Sequence, residues 1–378
     1  RTRSVFRVFQ LREQHDEFPL IGDPEGKMVV GQFGLSIPDF LKNFEGDIEE
    51  GDVLLTSDPY SCGAAISHAN DWLIVMPIYF GGRLVGWSSM FGHMTDVGGK
   101  TPASMPTDAR TIFEEGVVIP PFKLYNKGVL ADDSLRIILN QVRKPEWNRA
   151  DLNGLVAACR TASRRVQELC ARFGADTYTS ALEALMDRNY RAMKTLLQMV
   201  FKDGETLSFT DYICDDGVGY GPYELKLSLT RTGDKVLLDF SGSSPQAQGP
   251  INYYINENLV RMFFGIYMIT VADPQILWND GFYPLVDVII PEKSFWKPTY
   301  PAALNARKHG IGRAFDLLGG LRGQTNPDLL NAAGFSSPPH SMYAGNYPTG
   351  DRKGERFQRY PIDSRGILRR RRGPGHEG

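Results

Sequence analysis

Two copies of a His-x-x-Asp pattern lie close together near the start of the chain. The first runs from His68 to Asp71 and the second from His93 to Asp96, in a sequence of 378 residues with six histidines. Imidazole and carboxylate groups are common ligands of a divalent metal such as Zn, Mn or Fe, and they also form general acid–base pairs. The repeated spacing therefore predicts a functional site. The alternative is two structural His–Asp hydrogen bonds at strand ends.

A β-hairpin is expected to join the two copies. Residues 73–80 form an apolar run of strand length, Gly81 and Gly82 favour a two-residue turn, and residues 83–90 have the pattern of a returning strand. Pro77 cannot donate a backbone hydrogen bond, so it predicts that the first strand lies at an edge or carries a bulge.

The register of this hairpin decides which side chains can meet. A regular hairpin with the turn at the two glycines places Asn70 opposite His93, and it leaves His68 diagonal to His93 at about 7–8 Å. Asp71 and Asp96 would then point to the other face. A site with three ligands therefore requires a bulge or a strand end near Asp71.

The composition favours an ordinary globular protein. Apolar residues make up 42% of the chain and charged residues 23%, with a formal net charge of −2. This balance gives no long-range attraction to nucleic acid or anionic lipid, and no apolar run is long enough to span a membrane. The four cysteines show no C-x-x-C spacing. We therefore expect a cytoplasmic protein with no nucleic-acid or membrane partner.

The hydrophobic periodicity predicts an α+β fold of mostly antiparallel β layers with an inserted helical hairpin or bundle at about 132–201. Three domains follow from it: a β-rich domain at 1–130 that carries the paired motifs, a helical segment at 131–204, and a second β-rich α+β domain at 205–378. After Gly319 the sequence is expected to form mainly loops.

Short motifs rich in Gly, Pro and Asp follow one another along the chain. They are Asp58-Pro59-Tyr60, His68-x-x-Asp71, Gly92-His93-x-x-Asp96-Val97-Gly98-Gly99, Pro102-x-Ser104-Met105-Pro106, Glu114-Glu115-Gly116, Asp215-Asp216-Gly217, Asp239-Phe240-Ser241-Gly242 and Gly249-Pro250-Ile251-Asn252. This ordered set resembles the B-type component of the ATP-dependent hydantoinase family, whose relatives are the 5-oxoprolinases and the ATP-dependent acetone and acetophenone carboxylases. The resemblance runs from about residue 10 to the end of the chain.

The resemblance implies a division of labour between subunits. An A-type partner subunit would bind ATP with Mg and transfer phosphate, while the B-type subunit would hold the organic substrate near a divalent metal. A small zinc-binding subunit is a further possible partner, and bicarbonate a further substrate. The chain also departs from the family pattern, because Met94 stands where the amide-opening members often have a second histidine.

The resemblance also implies which residues form the site. In the acetone carboxylase branch the metal ligands match His68, Asp71 and His93. A further acid from the N-terminal region is expected, with Glu13 as the first candidate and Asp16 as the next.

Two other roles are expected around the metal. Asp96 and His93 are the predicted catalytic residues, since Asp96 could orient His93 or move a proton. Asp58 and Tyr60 are the predicted substrate-binding residues.

Three functions are compatible with this pattern. The first is the substrate-binding catalytic subunit of an ATP-dependent ketone carboxylase with an acetone- or acetophenone-like substrate, which Met94 slightly favours. The second is an ATP-dependent cyclic-amide hydrolase that opens a hydantoin, oxoproline or lactam ring. The third is a scaffold subunit whose metal site is structural or vacant.

Overall fold

The computed structural model describes residues 17–31, 34–273 and 275–327, with the short stretches 343–346, 353–354 and 356–359. The strands are β1 Glu17–Gly22, β2 Met28–Gly31, β3 Val53–Thr56, β4 Asp71–Phe80, β5 Arg83–His93, β6 Phe122–Asn126, β7 Val129–Leu130, β8 Thr206–Ile213, β9 Tyr223–Thr232, β10 Lys235–Asp239, β11 Val286–Ile289, β12 Tyr343–Asn346 and β13 Arg356–Arg359. The α-helices are α1 Ile37–Asn43, α2 Asp132–Leu139, α3 Pro145–Phe173, α4 Ala175–Val200, α5 Glu257–Ala272 and α6 Lys308–Thr325.

The first seven strands form one antiparallel sheet in the order β2-β1-β5-β4-β3-β6-β7. Helices occupy the next part of the chain, and a four-stranded sheet follows in the order β11-β10-β9-β8. In this second sheet only the β10–β11 pair is parallel. The predicted α+β class and the inserted helices are therefore confirmed, whereas the division into three domains stays a prediction.

The central hairpin of β4 and β5 turns at the predicted glycines. Gly81 and Gly82 have φ angles of 60° and 78°, the left-handed values that a tight hairpin turn needs and that glycine adopts without strain. Tyr79 pairs with Leu84, but Ile78 pairs with Gly86. Val85 is thus an extra residue on β5, a β-bulge that shifts every later pair by one position.

This bulge corrects the register that the sequence predicts. Asp71, and not Asn70, lies opposite His93. Asp71 is the first residue of β4, so the expected strand end lies there, whereas the bulge lies near the turn. Pro77 lies close to it, beyond the end of the β3 pairing at Val75. Its missing N–H therefore interrupts no pairing with β3.

The two faces of the β4–β5 hairpin are covered by different helices. Trp72, Ile74 and Met76 pack with Leu152 and Leu155 of α3. The opposite face, which includes Leu73, Val75 and Trp87, packs with Ile37 and Phe40 of α1. This alternation follows from the two-residue period of a strand. Because Asp71 is two residues from Leu73, it lies at the end of the α1-facing side of the hairpin.

The second sheet packs against the later helices. Leu225, Leu227 and Leu229 of β9 are buried with residues of α5, α6 and the end of α4 in one apolar core. Helix α6 continues to Thr325, so the expectation of loops directly after Gly319 is wrong for this stretch. Across the part of the chain that the structure describes, no helix is both long and apolar enough to cross a membrane.

Candidate metal centre

Three side chains from the two repeated motifs converge at the end of the β4–β5 hairpin. His68 Nε2 lies 2.9 Å from Asp71 Oδ1, and His93 Nδ1 lies 3.2 Å from the same oxygen. One ligand atom from each residue lies within 4.8 Å of the other two. His68 is 0% exposed, Asp71 5% and His93 9%. The shifted register produces this convergence, because it sets Asp71 and His93 directly opposite each other.

Asp71 is ionised in this buried position. Burial by itself raises the pKa of the carboxyl group, but its contacts with His68, His93 and Arg307 outweigh burial and hold the pKa well below the usual range. Arg307 Nη2 donates to Asp71 Oδ2 at 3.1 Å. One carboxylate oxygen therefore faces the two imidazoles while the other faces a guanidinium group.

His68 is neutral near pH 7. Burial and the nearby charge of Arg307 lower its pKa to about 4, although Asp71 opposes this shift. A neutral imidazole has a lone pair to offer a metal.

The atoms of this cluster fit a divalent cation. His68 Nε2 is buried without an aligned hydrogen-bond partner among the described residues, although Asp71 Oδ1 is close. An unsatisfied buried polar atom costs roughly 1–3 kcal/mol, and a cation would satisfy it. Two imidazoles and one carboxylate suit Zn, Mn or Fe. Glu13 and Asp16, the expected source of a further ligand, lie outside the described residues.

The segment that precedes α6 completes the surroundings of the cluster, and sequence reasoning missed it. Besides its contact with Asp71, Arg307 donates from Nε to Ser67 Oγ at 2.5 Å. Asn305 Oδ1 lies 2.9 Å from His68 Nδ1. These contacts join residues more than 200 positions apart. Local spacing carries no signal for such a pair.

Asp96 makes its hydrogen bonds within the turn after β5, and its catalytic role stays a prediction. Its two oxygens accept hydrogen bonds from Gly98 N at 2.9 Å and from Ala103 N at 2.7 Å. Arg143 pairs with the same carboxylate at 3.1 Å. These contacts favour a structural role, in which Asp96 fixes the turn that follows β5.

Glu115, from the Glu114-Glu115-Gly116 motif, is a further buried acid, and the sequence pattern assigns it no role. Its Oε1 accepts from Leu304 N and from Asn305 N, each at 2.7 Å. Burial raises the pKa of its carboxyl group to about 8, against the effect of these two hydrogen bonds. Glu115 is thus mostly protonated at pH 7 and anchors the segment that carries Asn305.

Asp58 and Tyr60 lie in the turn after β3. Asp58 Oδ1 accepts from Tyr60 N at 2.9 Å, and Tyr60 OH donates to Ala302 O at 2.8 Å. The Tyr60 ring stacks on Tyr254 and meets Tyr300 edge-on. Tyr60 therefore contacts the same segment as Asn305, and the substrate-binding role of both Asp58 and Tyr60 stays a prediction.

A comparison with known protein families identifies the chain. Residues 15–377 match the family described as Hydantoinase B/oxoprolinase. The chain belongs to this family. The resemblance inferred from the ordered motifs is therefore confirmed.

Curated relatives within the family have different activities. The chain is 33% identical over 267 residues to the caprolactamase beta subunit of Pseudomonas jessenii, covering 70% of this chain and 42% of the relative. It is 29% identical over 253 residues to the acetophenone carboxylase delta subunit of Aromatoleum aromaticum, a match that covers 63% of this chain and 36% of the relative. It is 26% identical over 308 residues to a 5-oxoprolinase of Dictyostelium discoideum, a match that covers 78% of this chain and 24% of the relative. The chain thus spans less than half the length of each of these relatives.

Two solved structures have the same fold. The ATP-dependent caprolactamase of Pseudomonas jessenii superposes with a TM-score of 0.82 at 25% identity, covering 95% of this chain and 62% of that one. A nucleotide-free acetone carboxylase superposes with a TM-score of 0.80 at 17% identity, and the match covers 93% of this chain and 50% of that one. The second likeness shows the fold alone.

Met94, the departure from the family pattern, lies away from the cluster. Its side chain is fully buried with Trp72 and Val97 in the core on the α3-facing side of the hairpin. His93 lies on the other face, because successive strand residues point to opposite sides. Met94 is therefore weak support for a carboxylase.

Proposed function

We propose that this chain holds a divalent metal at His68, Asp71 and His93 and binds a carbonyl substrate within an ATP-dependent enzyme that opens a cyclic amide. The observation that carries the proposal is the convergence of three buried ligand atoms within 4.8 Å, one of them a ring nitrogen without a hydrogen bond among the described residues. A scaffold role would require none of this arrangement.

The residues around the cluster have distinct tasks in this proposal. When bound, the metal would supply Lewis-acid polarisation of a substrate carbonyl. Asp71 stays ionised, and Arg307 holds its outer oxygen in place. Glu115 holds a proton at Oε2, because Oε1 already accepts two backbone N–H groups. His93 is the most exposed of the three ligands, at 9%.

Two considerations favour amide opening over ketone carboxylation. The caprolactamase beta subunit has a higher identity to this chain, 33%, than the acetophenone carboxylase delta subunit has, 29%. The side chain of Met94 packs in the core, so its departure from the family pattern carries little weight for a carboxylase.

Ketone carboxylation is the second candidate. The acetophenone carboxylase delta subunit is 29% identical to this chain. In this reaction the same cluster would stabilise the negative charge of an enolate during its attack on CO2. Bicarbonate would then be required in addition to ATP.

Partner subunits are part of either candidate. The curated relatives include proteins named as the beta component of a caprolactamase and the delta component of an acetophenone carboxylase. We propose that an A-type partner binds ATP with Mg and transfers the phosphate. A small zinc-binding subunit would accompany only the carboxylase, and a cytoplasmic location stays a prediction.

The test is an activity screen of the complete complex with ATP. Caprolactam, hydantoin and 5-oxoproline are each tested for ring opening without bicarbonate, and acetone and acetophenone are tested with bicarbonate. Ring opening that is lost in His93→Ala supports the first candidate, while bicarbonate-dependent consumption of a ketone supports the second. Activity that survives unchanged in His93→Ala would overturn both.

A further inference from the structure

Tyr253 is a buried tyrosine that follows the Gly249-Pro250-Ile251-Asn252 motif. Its side chain is 2% exposed, and its hydroxyl makes no hydrogen bond within the part of the chain that the structure describes. The hydroxyl of a buried tyrosine usually has a partner, because a buried donor without an acceptor is costly. Tyr253 therefore holds a donor that a ligand could satisfy.

Hydrogen bonds hold the chain just before Tyr253 beside the segment that precedes α6. Ala306 N donates to Pro250 O at 2.9 Å, and Asn252 Nδ2 donates to Ala303 O at 3.1 Å. The same segment carries the arginine that pairs with the metal cluster. These contacts bring Tyr253 to the beginning of α6.

Helix α6 makes room for Tyr253 because Gly310 has no side chain. A Cβ atom at Gly310 would lie 3.0 Å from the Cβ of Tyr253 and 2.9 Å from the ring of Phe295. Gly310 follows Arg307 by three residues, so the two lie on the same side of the helix. Tyr253 therefore packs on the first turn of α6, on the side that carries Arg307.

The charges of the metal cluster act on the Tyr253 hydroxyl. Burial raises its pKa above the ordinary value, the charge of Arg307 lowers it, and the charge of Asp71 raises it. Because such effects weaken with distance, the hydroxyl lies near the pair that Arg307 and Asp71 form at 3.1 Å. The net shift is upward, so Tyr253 keeps its proton near pH 7.

The ring of Tyr253 is fixed by aromatic neighbours. Its centroid lies 6.0 Å from that of Phe263 and 6.1 Å from that of Trp296. These contacts use the apolar ring and leave the hydroxyl to another partner. Tyr253→Phe would keep the ring contacts and remove only the donor.

We propose that Tyr253 is a substrate-binding residue whose hydroxyl donates a hydrogen bond to the carbonyl oxygen of the organic substrate. A carbonyl oxygen can only accept, so it matches a neutral donor. Both candidate reactions begin with a carbonyl compound and build negative charge on this oxygen, which strengthens the hydrogen bond. The nature of the substrate rests on the proposed function, whereas the position of the hydroxyl does not.

The test is Tyr253→Phe in the complete complex, with caprolactam, hydantoin, 5-oxoproline, acetone and acetophenone as probes. Calorimetric titration measures the binding of each probe, and turnover is measured with ATP, with bicarbonate added for the ketones. We expect the probe that wild type converts to bind roughly 2- to 10-fold more weakly to the variant. Its kcat should fall roughly 10²–10³-fold, with metal content unchanged and the unfolding temperature not lowered.

Tyr267→Phe is the matched control. Tyr267 is 7% exposed, and among the described residues its hydroxyl also lacks a hydrogen bond. This hydroxyl lies 3.6 Å from the Cβ position of Gly319, which is about 14 Å along α6 from Gly310. Removing it should leave both binding and turnover at the wild-type level.

Two results would overturn the inference. One is equal binding and turnover in Tyr253→Phe and wild type, and the other is a wild-type complex that binds none of the five probes. Failure of the proposed function gives a different result. A probe that binds wild type without any metal, and binds several-fold more weakly to Tyr253→Phe, would end the metal proposal and support the role of Tyr253.

Discussion

At the residue scale, Asp71 is the centre of the candidate site. Its Oδ1 lies near both imidazoles and its Oδ2 accepts from Arg307. A buried carboxylate needs such partners, because an uncompensated charge in the interior costs several kcal/mol. Arg307 therefore serves the stability of the protein as well as the orientation of a ligand.

Replacing Arg307 tests this charge balance. Arg307→Ala leaves Asp71 buried without its cationic partner, and we expect a loss of roughly 3–5 kcal/mol in the unfolding free energy of the metal-free protein. Arg83→Ala is the control, because the Arg83–Asp176 pair is exposed and such pairs contribute below about 1 kcal/mol. Denaturant titration measures both, and equal losses in the two variants would contradict the argument.

Glu115 should make stability depend on pH. Its pKa rises from the ordinary value of 4.5 to about 8 in the folded protein, so between these values the folded chain holds a proton that the unfolded chain releases. The unfolding free energy therefore falls as pH rises through this window, by at most about 1.4 kcal/mol per pH unit. Relative to wild type, Glu115→Gln should become progressively more stable from pH 5 to pH 8.

Glu114→Gln is the matched control for this measurement. The hydrogen bond from Lys100 lowers the pKa of Glu114 to about 2, so Glu114 is ionised in both states above pH 5. Its stability difference from wild type should stay flat from pH 5 to pH 8. If the difference in unfolding free energy between Glu115→Gln and wild type also stays constant from pH 5 to pH 8, Glu115 ionises normally in the folded protein and the prediction is wrong.

At the element scale, the β4–β5 hairpin and the turn after it build the site. The glycine pair predicts the turn, but the Val85 bulge, which depends on how the strands pack, sets the register of the distant end. The sequence predicts that His68, Asp71 and His93 meet only with a bulge or a strand end near Asp71, and β4 does begin at Asp71. The bulge lies at the other end of the hairpin, near Pro77. The left-handed backbone at Ala103 and Ser104 has no sequence signal at all, since neither residue is glycine.

Asp96 should be important for this turn without being essential to chemistry. Its fully buried carboxylate accepts from the buried N–H groups of Gly98 and Ala103. Asp96→Ala leaves both donors unsatisfied, so it should cost roughly 1–3 kcal/mol of unfolding free energy for each. Asp108→Ala is the control, since Asp108 is exposed and pairs with Lys100 at the surface. Thermal and denaturant unfolding provide the comparison, and a cost for Asp96→Ala as small as that of Asp108→Ala would argue against the structural role.

At the scale of the whole molecule, distant parts of the chain meet at one site. The candidate ligands come from the first sheet and the turn before β4, while Asn305 and Arg307 come from the segment before α6. The element pattern was predictable, since alternation in β9 and helical periodicity in α3 and α4 are local properties. The long-range contacts of Asn305, Arg307 and Glu115 were not, because they depend on packing between segments far apart in sequence.

Metal binding should therefore stabilise the assembled fold. A cation that binds the folded chain and not the unfolded one adds about 2.7 kcal/mol at a concentration 100 times its Kd. We expect added Zn²⁺ or Mn²⁺ to raise the unfolding temperature of the wild type and to leave that of His68→Ala unchanged. Equal shifts in both proteins would indicate binding elsewhere.

The most direct test of the central claim is elemental analysis of the purified full-length protein. Wild type is compared with His93→Ala and with His309→Ala, a histidine in α6 outside the cluster. We predict about one divalent metal ion per chain in wild type and in His309→Ala, and its loss in His93→Ala. Metal that is absent from the wild type, or that is retained in His93→Ala, would contradict the assignment of the site.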